Sequence, residues 1–309
     1  MLKSIQSPMP RSAAKSNKRQ SPQPSPPEVV SPLWLVKGVI LTIVAALVCG
    51  YLTLCLLFYQ GQWQLVLHPG RGSSNTASIA GPPYDLIRFD ADESGKPQLV
   101  GWWIPSDPGA RYSRITVLLL NDGDSDLTRS IPTLASLHTL GVNVFAFDYR
   151  GYGQSAPVRP NQQNMTQDAA AALQYLATLR HIPEQEIVPY GIGTGASLAT
   201  SLTLTHSQIP ALILDEPRAD LLSVALQDRR GTFIPVRLLF HERFPLRDTL
   251  STLQTPKLLI SRHPVPDAAY RNAADPKTTL ELPSSSQDLY AQSVTRFLDQ
   301  YLPAKALTP

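Results

Sequence analysis

The 309-residue sequence predicts an α/β fold: a mostly parallel sheet with helices on both faces and a small cap region, preceded by one transmembrane helix. Three observations lead there. Short apolar runs rich in Val, Ile and Leu alternate with helix-periodic stretches from about residue 81 onward. An uncharged run, "GVILTIVAALVCGYLTLCLLFY" (38–59), stands ahead of them. The stretch 216–255 lacks a clear strand and interrupts the alternation, as a cap inserted above a sheet would.

The elements follow in order. Residues 1–32 are rich in Ser and Pro with no apolar periodicity, a composition that cannot offset chain entropy by burial, so they predict a disordered basic tail. Residues 33–60 predict the transmembrane helix. Its uncharged core of twenty-two residues would span about 33 Å at about 1.5 Å per residue, enough for a hydrocarbon layer of about 30 Å. A cleaved signal peptide would carry a shorter apolar region ending at a small-residue site, which "LLFYQGQW" is not. Residues 61–80 predict a linker, 81–302 the folded domain and 303–309 a short tail. Within the domain the strand patterns are 84–90, 99–104, 115–120, 142–148, 186–190, 211–215, 257–261 and 278–282. Helix patterns cover 127–140, 165–180 and 287–301. Pro189 falls inside what should be a central strand, where it removes a ladder hydrogen bond.

Charge divides the chain. Residues 1–37 hold six Lys or Arg against Glu28 alone, leaving 21 basic and 23 acidic groups in the remainder. The domain therefore offers no basic footprint for nucleic acid. Six basic residues precede the apolar run and only Arg71 and Arg88 occur in the thirty that follow, so the N-terminus is expected in the cytoplasm and the domain outside it. The expected partners are the bilayer, through residues 38–59, and an unidentified small ligand or protein. Both cysteines, Cys49 and Cys55, lie in the apolar run, so the domain has no thiolate nucleophile and no Cys-ligated zinc. No cofactor is expected.

Four landmarks then occur in order: "VFAFDYRGYGQS" (144–155), "YGIGTGAS" (190–197), "LILDEP" (212–217) and "TPKLLIS" (255–261). With them the chain over about residues 80–302 resembles the α/β-hydrolase family, in its serine-aminopeptidase-like branch, which includes single-pass, N-terminally anchored enzymes. The resemblance implies a strand–turn–helix nucleophile elbow and a serine, a carboxylate and a histidine in that chain order, with an oxyanion hole. Each position is altered here. Gly193 stands where the resemblance places the serine. The acid loop reads "SRHPVPD", with Val265 at the acid position and Asp267 two residues late, beside His263. Ser286 stands at the histidine position, and no histidine follows Leu282. The oxyanion turn reads "NDG" (121–123), and Asp122 would oppose a developing oxyanion.

Substitutes are few. Thr194, beside the elbow, is expected as an N-terminal helix residue, and Ser197, one turn on, as packed or bonded within its helix. His263 faces the vestigial cleft in this scheme and His241 hangs over it from the cap; either could act as a base. Asp122, Asp124 and Asp126 alternate as in a calcium loop, but Leu127 and Thr133 stand where that loop needs Gly and Glu. The competing expectation is a polar turn in which Asp126 caps a helix. In "DYRGYG", Asp148 and Arg150 are expected to close a turn, and in "NMTQD" Asn164 to cap a helix with Gln167 three residues on. The functional expectation is a membrane-anchored, non-catalytic protein that uses the fold for binding. The alternative is an esterase, amidase or peptidase with a displaced nucleophile and base.

Overall fold

The computed structural model describes residues 31–70, 82–218, 221–227, 233–263, 268–282 and 287–302. Residues 1–30 of the expected N-terminal tail, the expected C-terminal tail and the second half of the expected linker lie outside them. The chain divides into two compact units, residues 1–51 and 52–309. Residues 32–51 of the first are the leading part of helix α1 (Pro32–Gly61), with every described side chain exposed. Among the described residues α1 is the one helix long and apolar enough to cross a membrane. Its thirty residues measure about 45 Å at about 1.5 Å each.

The second unit holds an eight-stranded sheet. Its strands are β1 (Asp85–Ala91), β2 (Pro97–Ile104), β3 (Thr116–Leu120), β4 (Asn143–Asp148), β5 (Ile187–Ile192), β6 (Leu212–Asp215), β7 (Lys257–Ser261) and β8 (Lys277–Glu281). They lie in the order β1-β2-β4-β3-β5-β6-β7-β8. β2 is antiparallel to both neighbours and the remaining pairs are parallel. Around the sheet lie α2 (Ile131–Thr139), α3 (Gln162–Thr178), α4 (Gly195–Thr205), α5 (Leu221–Gln227), α6 (Val236–Leu239), α7 (Arg247–Thr252), α8 (Ala268–Asn272) and α9 (Gln287–Tyr301). Three of these short helices, α5, α6 and α7, fall in the expected cap.

Alternation along the strands builds two cores, one on each face. Leu118 and Leu120 of β3, Phe145 and Phe147 of β4 and Leu259 of β7 face one side, with Leu173 and Leu176 of α3 and Leu198 and Leu202 of α4. Val117 and Leu119, Val144 and Ala146, and Leu258 and Ile260 face the other, with Leu134 and Leu137 of α2 and Phe297 and Leu298 of α9. A parallel sheet covered twice explains why these strands read as continuous apolar runs. Pro189 is accommodated because it pairs with Leu118 of β3, whereas the β5–β6 ladder begins only at Tyr190.

Several local expectations need correction. The helix expected over 127–140 is a 3-10 turn (Leu127–Ser130) followed by α2, because Pro132 suits the first turn of a helix and not its interior. Asn161, not Asn164, caps α3: its side chain accepts from the Asn164 N–H at 2.8 Å. Gln167 instead accepts from Arg150 at 3.0 Å. Residues 62–70 are not a free linker, since Gln62, Val66 and Leu67 are buried in the domain.

The "DYRGYG" block does more than close a turn. Arg150 pairs with fully buried Asp168 of α3 at 2.5 Å. Asp148 accepts from the Leu127 N–H at 2.9 Å, while Tyr149 and Tyr152 donate to the carbonyls of Asn121 and Gly123 at 3.2 and 2.8 Å. The block thus clamps the loop after β3. Burial pushes the Asp148 carboxyl up to about 7 against the pull of the Leu127 N–H, and burial pushes Asp168 up to about 6 despite Arg150. Folded-state values above the ordinary carboxylate value mean stability fully present below about pH 4 and lost as pH rises through 6 to 7. Asp148→Asn is expected to flatten this loss, narrowing the difference in unfolding free energy between pH 4.5 and 7.5 by roughly 1–3 kcal/mol. Denaturant titrations of the full chain in detergent check it; an unchanged slope would assign the pH dependence elsewhere.

Candidate functional site at the elbow after β5

β5 ends in a turn at Gly193 and runs directly into α4. Gly193 has φ +54°, the left-handed conformation that an elbow nucleophile is forced into, and glycine adopts it without a steric penalty. The flanking glycines are dictated by space. A Cβ on Gly191 would stand 2.5 Å from Ala196 Cα, and one on Gly195 would stand 2.1 Å from the Leu120 carbonyl oxygen. The elbow backbone is therefore intact where its hydroxyl is absent. A Cβ on Gly193 would meet Asp122 Cβ at 2.8 Å, so the loop after β3 occupies the space a nucleophile needs.

Above this point lies a cleft of 680 Å³, lined by Asp122, Gly193, Arg218, Leu221, Val224 and Arg247 together with groups from the ends of β6 and β7. Those strand ends carry an arrangement the sequence analysis missed. Glu216 has φ +49°; its Oε2 lies 2.7 Å from His263 Nδ1, and its other oxygen accepts from the Arg262 N–H. Buried Asp215 is held by Arg262 at 2.5 and 3.0 Å and accepts from Tyr190, whose hydroxyl is 3.2 Å from that of Tyr290. These bonds keep the Arg262 guanidinium more firmly protonated, and burial raises both tyrosines. Acid and base at the tips of adjacent parallel strands, "DE" and "RH", were the available signal.

The other expected residues disperse. Thr194 is the N-cap residue of α4 but makes no side-chain cap; its hydroxyl is buried without a partner. Ser197 donates to the Pro245 carbonyl in the cap at 2.8 Å rather than bonding within its own helix. Neither reaches a histidine. His263 does line the cleft, but His241 does not hang over it: His241 packs against Tyr59 with ring centroids 4.7 Å apart and bonds Gln62, on another face. Val265, Asp267 and Ser286 lie outside the described residues.

The three aspartates after β3 have separate partners. Asp126 accepts from the Thr128 N–H at 3.1 Å and caps the 3-10 turn, as the polar-turn alternative expected. Asp122 accepts from the Asp124 N–H at 2.9 Å. Asp124 pairs with His68 at 3.0 Å and Arg218 at 2.6 Å; burial pushes its carboxyl up, but these two partners outweigh it and hold it below the usual range. Among the described residues no three His, Cys, Asp or Glu groups converge as metal ligands.

The Gly193–Asp122 contact is testable. Gly193→Ala is expected to cost about 2–3 kcal/mol of unfolding free energy, from backbone strain and overpacking together. Asp122→Gly in the same chain removes the opposing Cβ and should return about 1–2 kcal/mol of this as coupling in a double-mutant cycle. Simple additivity would show that the loop yields without resistance.

The model of the family "Serine aminopeptidase, S33" matches residues 113–273. An uncharacterized protein of Mycobacterium tuberculosis is 28% identical over 222 residues, which cover 72% of this chain and 75% of that one. Alpha/beta hydrolase domain-containing protein 17C of Xenopus tropicalis is 30% identical over 159 residues, 51% of this chain and 48% of that protein. Among solved structures, an esterase of Pyrococcus furiosus superposes with TM-score 0.53 at 20% identity, covering 76% of this chain and 97% of its own. That last likeness is one of fold. With strand order, elbow backbone and family match in agreement, the chain belongs to the serine aminopeptidase S33 family and has the α/β-hydrolase fold.

Proposed function

We propose that this protein is a membrane-tethered α/β-hydrolase-fold protein that binds a ligand in the cleft over Gly193 and does not carry out serine-based acyl transfer. The observation that carries this proposal is the 2.8 Å between Asp122 Cβ and the place of a Gly193 Cβ: the elbow stands, and an acidic loop fills the nucleophile's position. Asp122 also adds an acidic side chain to the cleft beside the elbow, where an oxyanion hole needs donors. The tether is α1, with the five basic residues before it and Lys37 near its start on the cytoplasmic side and the domain outside.

One observation favours the alternative. Glu216 and His263 form a carboxylate–imidazole pair in the same cleft, and Ser223 of α5 also lines it. A displaced hydrolase would use His263 as base and Ser223 as nucleophile, with Glu216 orienting the imidazole.

A fluorophosphonate probe on the full chain in detergent, with adducts mapped by mass spectrometry, separates the two. Wild type is expected to remain unlabelled. The Gly193→Ser chain should also remain unlabelled, because its hydroxyl would be driven onto Asp122 and the family's histidine position holds Ser286. Stoichiometric labelling of wild type at Ser223, abolished by His263→Asn, would overturn the binding proposal and establish the displaced site.

A further inference from the structure

Outside α1, the two most exposed large apolar side chains among the described residues are Leu238, at 82%, and Phe233, at 79%. Both belong to the cap. A soluble surface tolerates single exposed apolar residues, but these two occur where the domain meets the end of the membrane helix. Tyr59, in the last turn of α1, packs against His241 of the cap with ring centroids 4.7 Å apart and the rings tilted by 40°. Gln62, just past the helix, is buried; its amide nitrogen donates to the Leu239 carbonyl at 3.2 Å and its oxygen accepts from the His241 N–H at 2.7 Å. Cys55 and Phe58 of α1 and Trp63 pack against the core that includes Ile234, Val236 and Phe240. Leu238 therefore directly precedes a residue hydrogen-bonded to the exit of α1.

The exposed charge along the segment that carries the pair is basic. Between Phe233 and Arg247 the exposed ionisable side chains are Arg237, His241, Arg243 and Arg247. The acid in that stretch, Glu242, is buried and accepts from the Gln162 N–H at the start of α3 at 2.6 Å. Apolar side chains framed by arginines, held beside the interfacial Tyr59 and Trp63, have the chemistry of a surface that lies in the headgroup and acyl boundary.

We infer that the cap docks on the bilayer leaflet at which α1 ends, with Phe233 and Leu238 entering the acyl boundary and Arg237 and Arg243 meeting anionic headgroups. This rests on the reading of α1 as a membrane tether. The occupant is the lipid surface itself, because the cap is fixed by hydrogen bonds to the residues that leave it. Anionic lipid should strengthen the docking, since basic residues near a surface gain from its negative potential.

The test uses the full chain with Cys49→Ala and Cys55→Ala and one new cysteine, Leu238→Cys, labelled with an environment-sensitive NBD fluorophore. The protein is reconstituted in phosphatidylcholine vesicles with or without phosphatidylglycerol, and quenching is measured with lipids spin-labelled on the acyl chain. The control is Leu179→Cys. It is 69% exposed and follows the C-terminal end of α3, whose first turn meets the cap; the helix's seventeen residues put it about 25 Å away along the axis. Blue-shifted emission at position 238 and several-fold stronger quenching than at 179, larger with phosphatidylglycerol, is the expected result. Protein that stays with the vesicles through an alkaline wash but quenches alike at both positions overturns the docking and leaves the tether standing. Protein stripped by that wash overturns the tether, and the docking with it. A blue shift without lipid quenching means a second copy or another protein covers Leu238, which also overturns the docking.

Discussion

The loop after β3 is the constraint on which the site depends, and two buried tyrosines hold it. Tyr149 and Tyr152 donate to the carbonyls of Asn121 and Gly123, the residues on either side of Asp122. Asp148, from the same block, fixes the Leu127 N–H farther along. Both rings are almost fully buried, and each unmade bond in such a place would cost about 1–3 kcal/mol of desolvation. Asp122 is therefore not a side chain that can swing off the elbow when a substrate arrives. Its Cβ is placed by bonds to both neighbours, and that placement leaves no room for a Cβ on Gly193 at the floor of the cleft.

Beyond the elbow, polar groups at the strand tips are satisfied by one another. Asp215 takes Arg262 and Tyr190, Glu216 takes His263 and the Arg262 N–H, and Asp124 takes Arg218 and His68. A triad works by leaving one imidazole nitrogen directed at a hydroxyl while the other is held by a carboxylate. Here the carboxylate half exists as Glu216 and His263, while the residue on the elbow has no side chain. Asp122 adds a carboxylate to the cleft lining beside the elbow, and a negative charge there does not assist a developing oxyanion.

The sequence carried the sheet well because strands buried on both faces must be apolar throughout. Runs such as "ITVLLL" and "KLLIS" fall within a residue of β3 and β7. It carried the elbow because only glycine fits at 191 and 195, so the spacing of "GIGTGAS" is a record of steric contacts. It did not carry pairings between distant segments. Glu216 and His263, forty-seven residues apart, are linked only through the pairing of the strands they follow, and nothing local to His241 indicates Gln62. Ser197 was misplaced for the same reason: in a helix the expected acceptor is the carbonyl one turn back, yet the cap brings the Pro245 carbonyl within 2.8 Å. Asn164 was misplaced by competition between two asparagines three residues apart. Asn161 has the extended backbone of a cap, and Asn164 is already inside the first turn.

The cap joins these pairings into one unit. Its segment from Leu239 to Pro245 is fastened at three places: to Gln62 at the exit of α1, to the Gln162 N–H at the start of α3, and to Ser197 on the elbow helix. Each bond contributes on the order of 1 kcal/mol net, but breaking any one strands a buried partner at greater cost. A lid that opens on a hinge needs one edge without such bonds. This segment is bonded to Gln62 after α1, to α3 and to α4, so the elbow, the cleft wall at Arg247 and the last turn of α1 are held in one fixed relation. The bonds that place the cap next to Tyr59 thereby also fix the cleft relative to the last turn of α1.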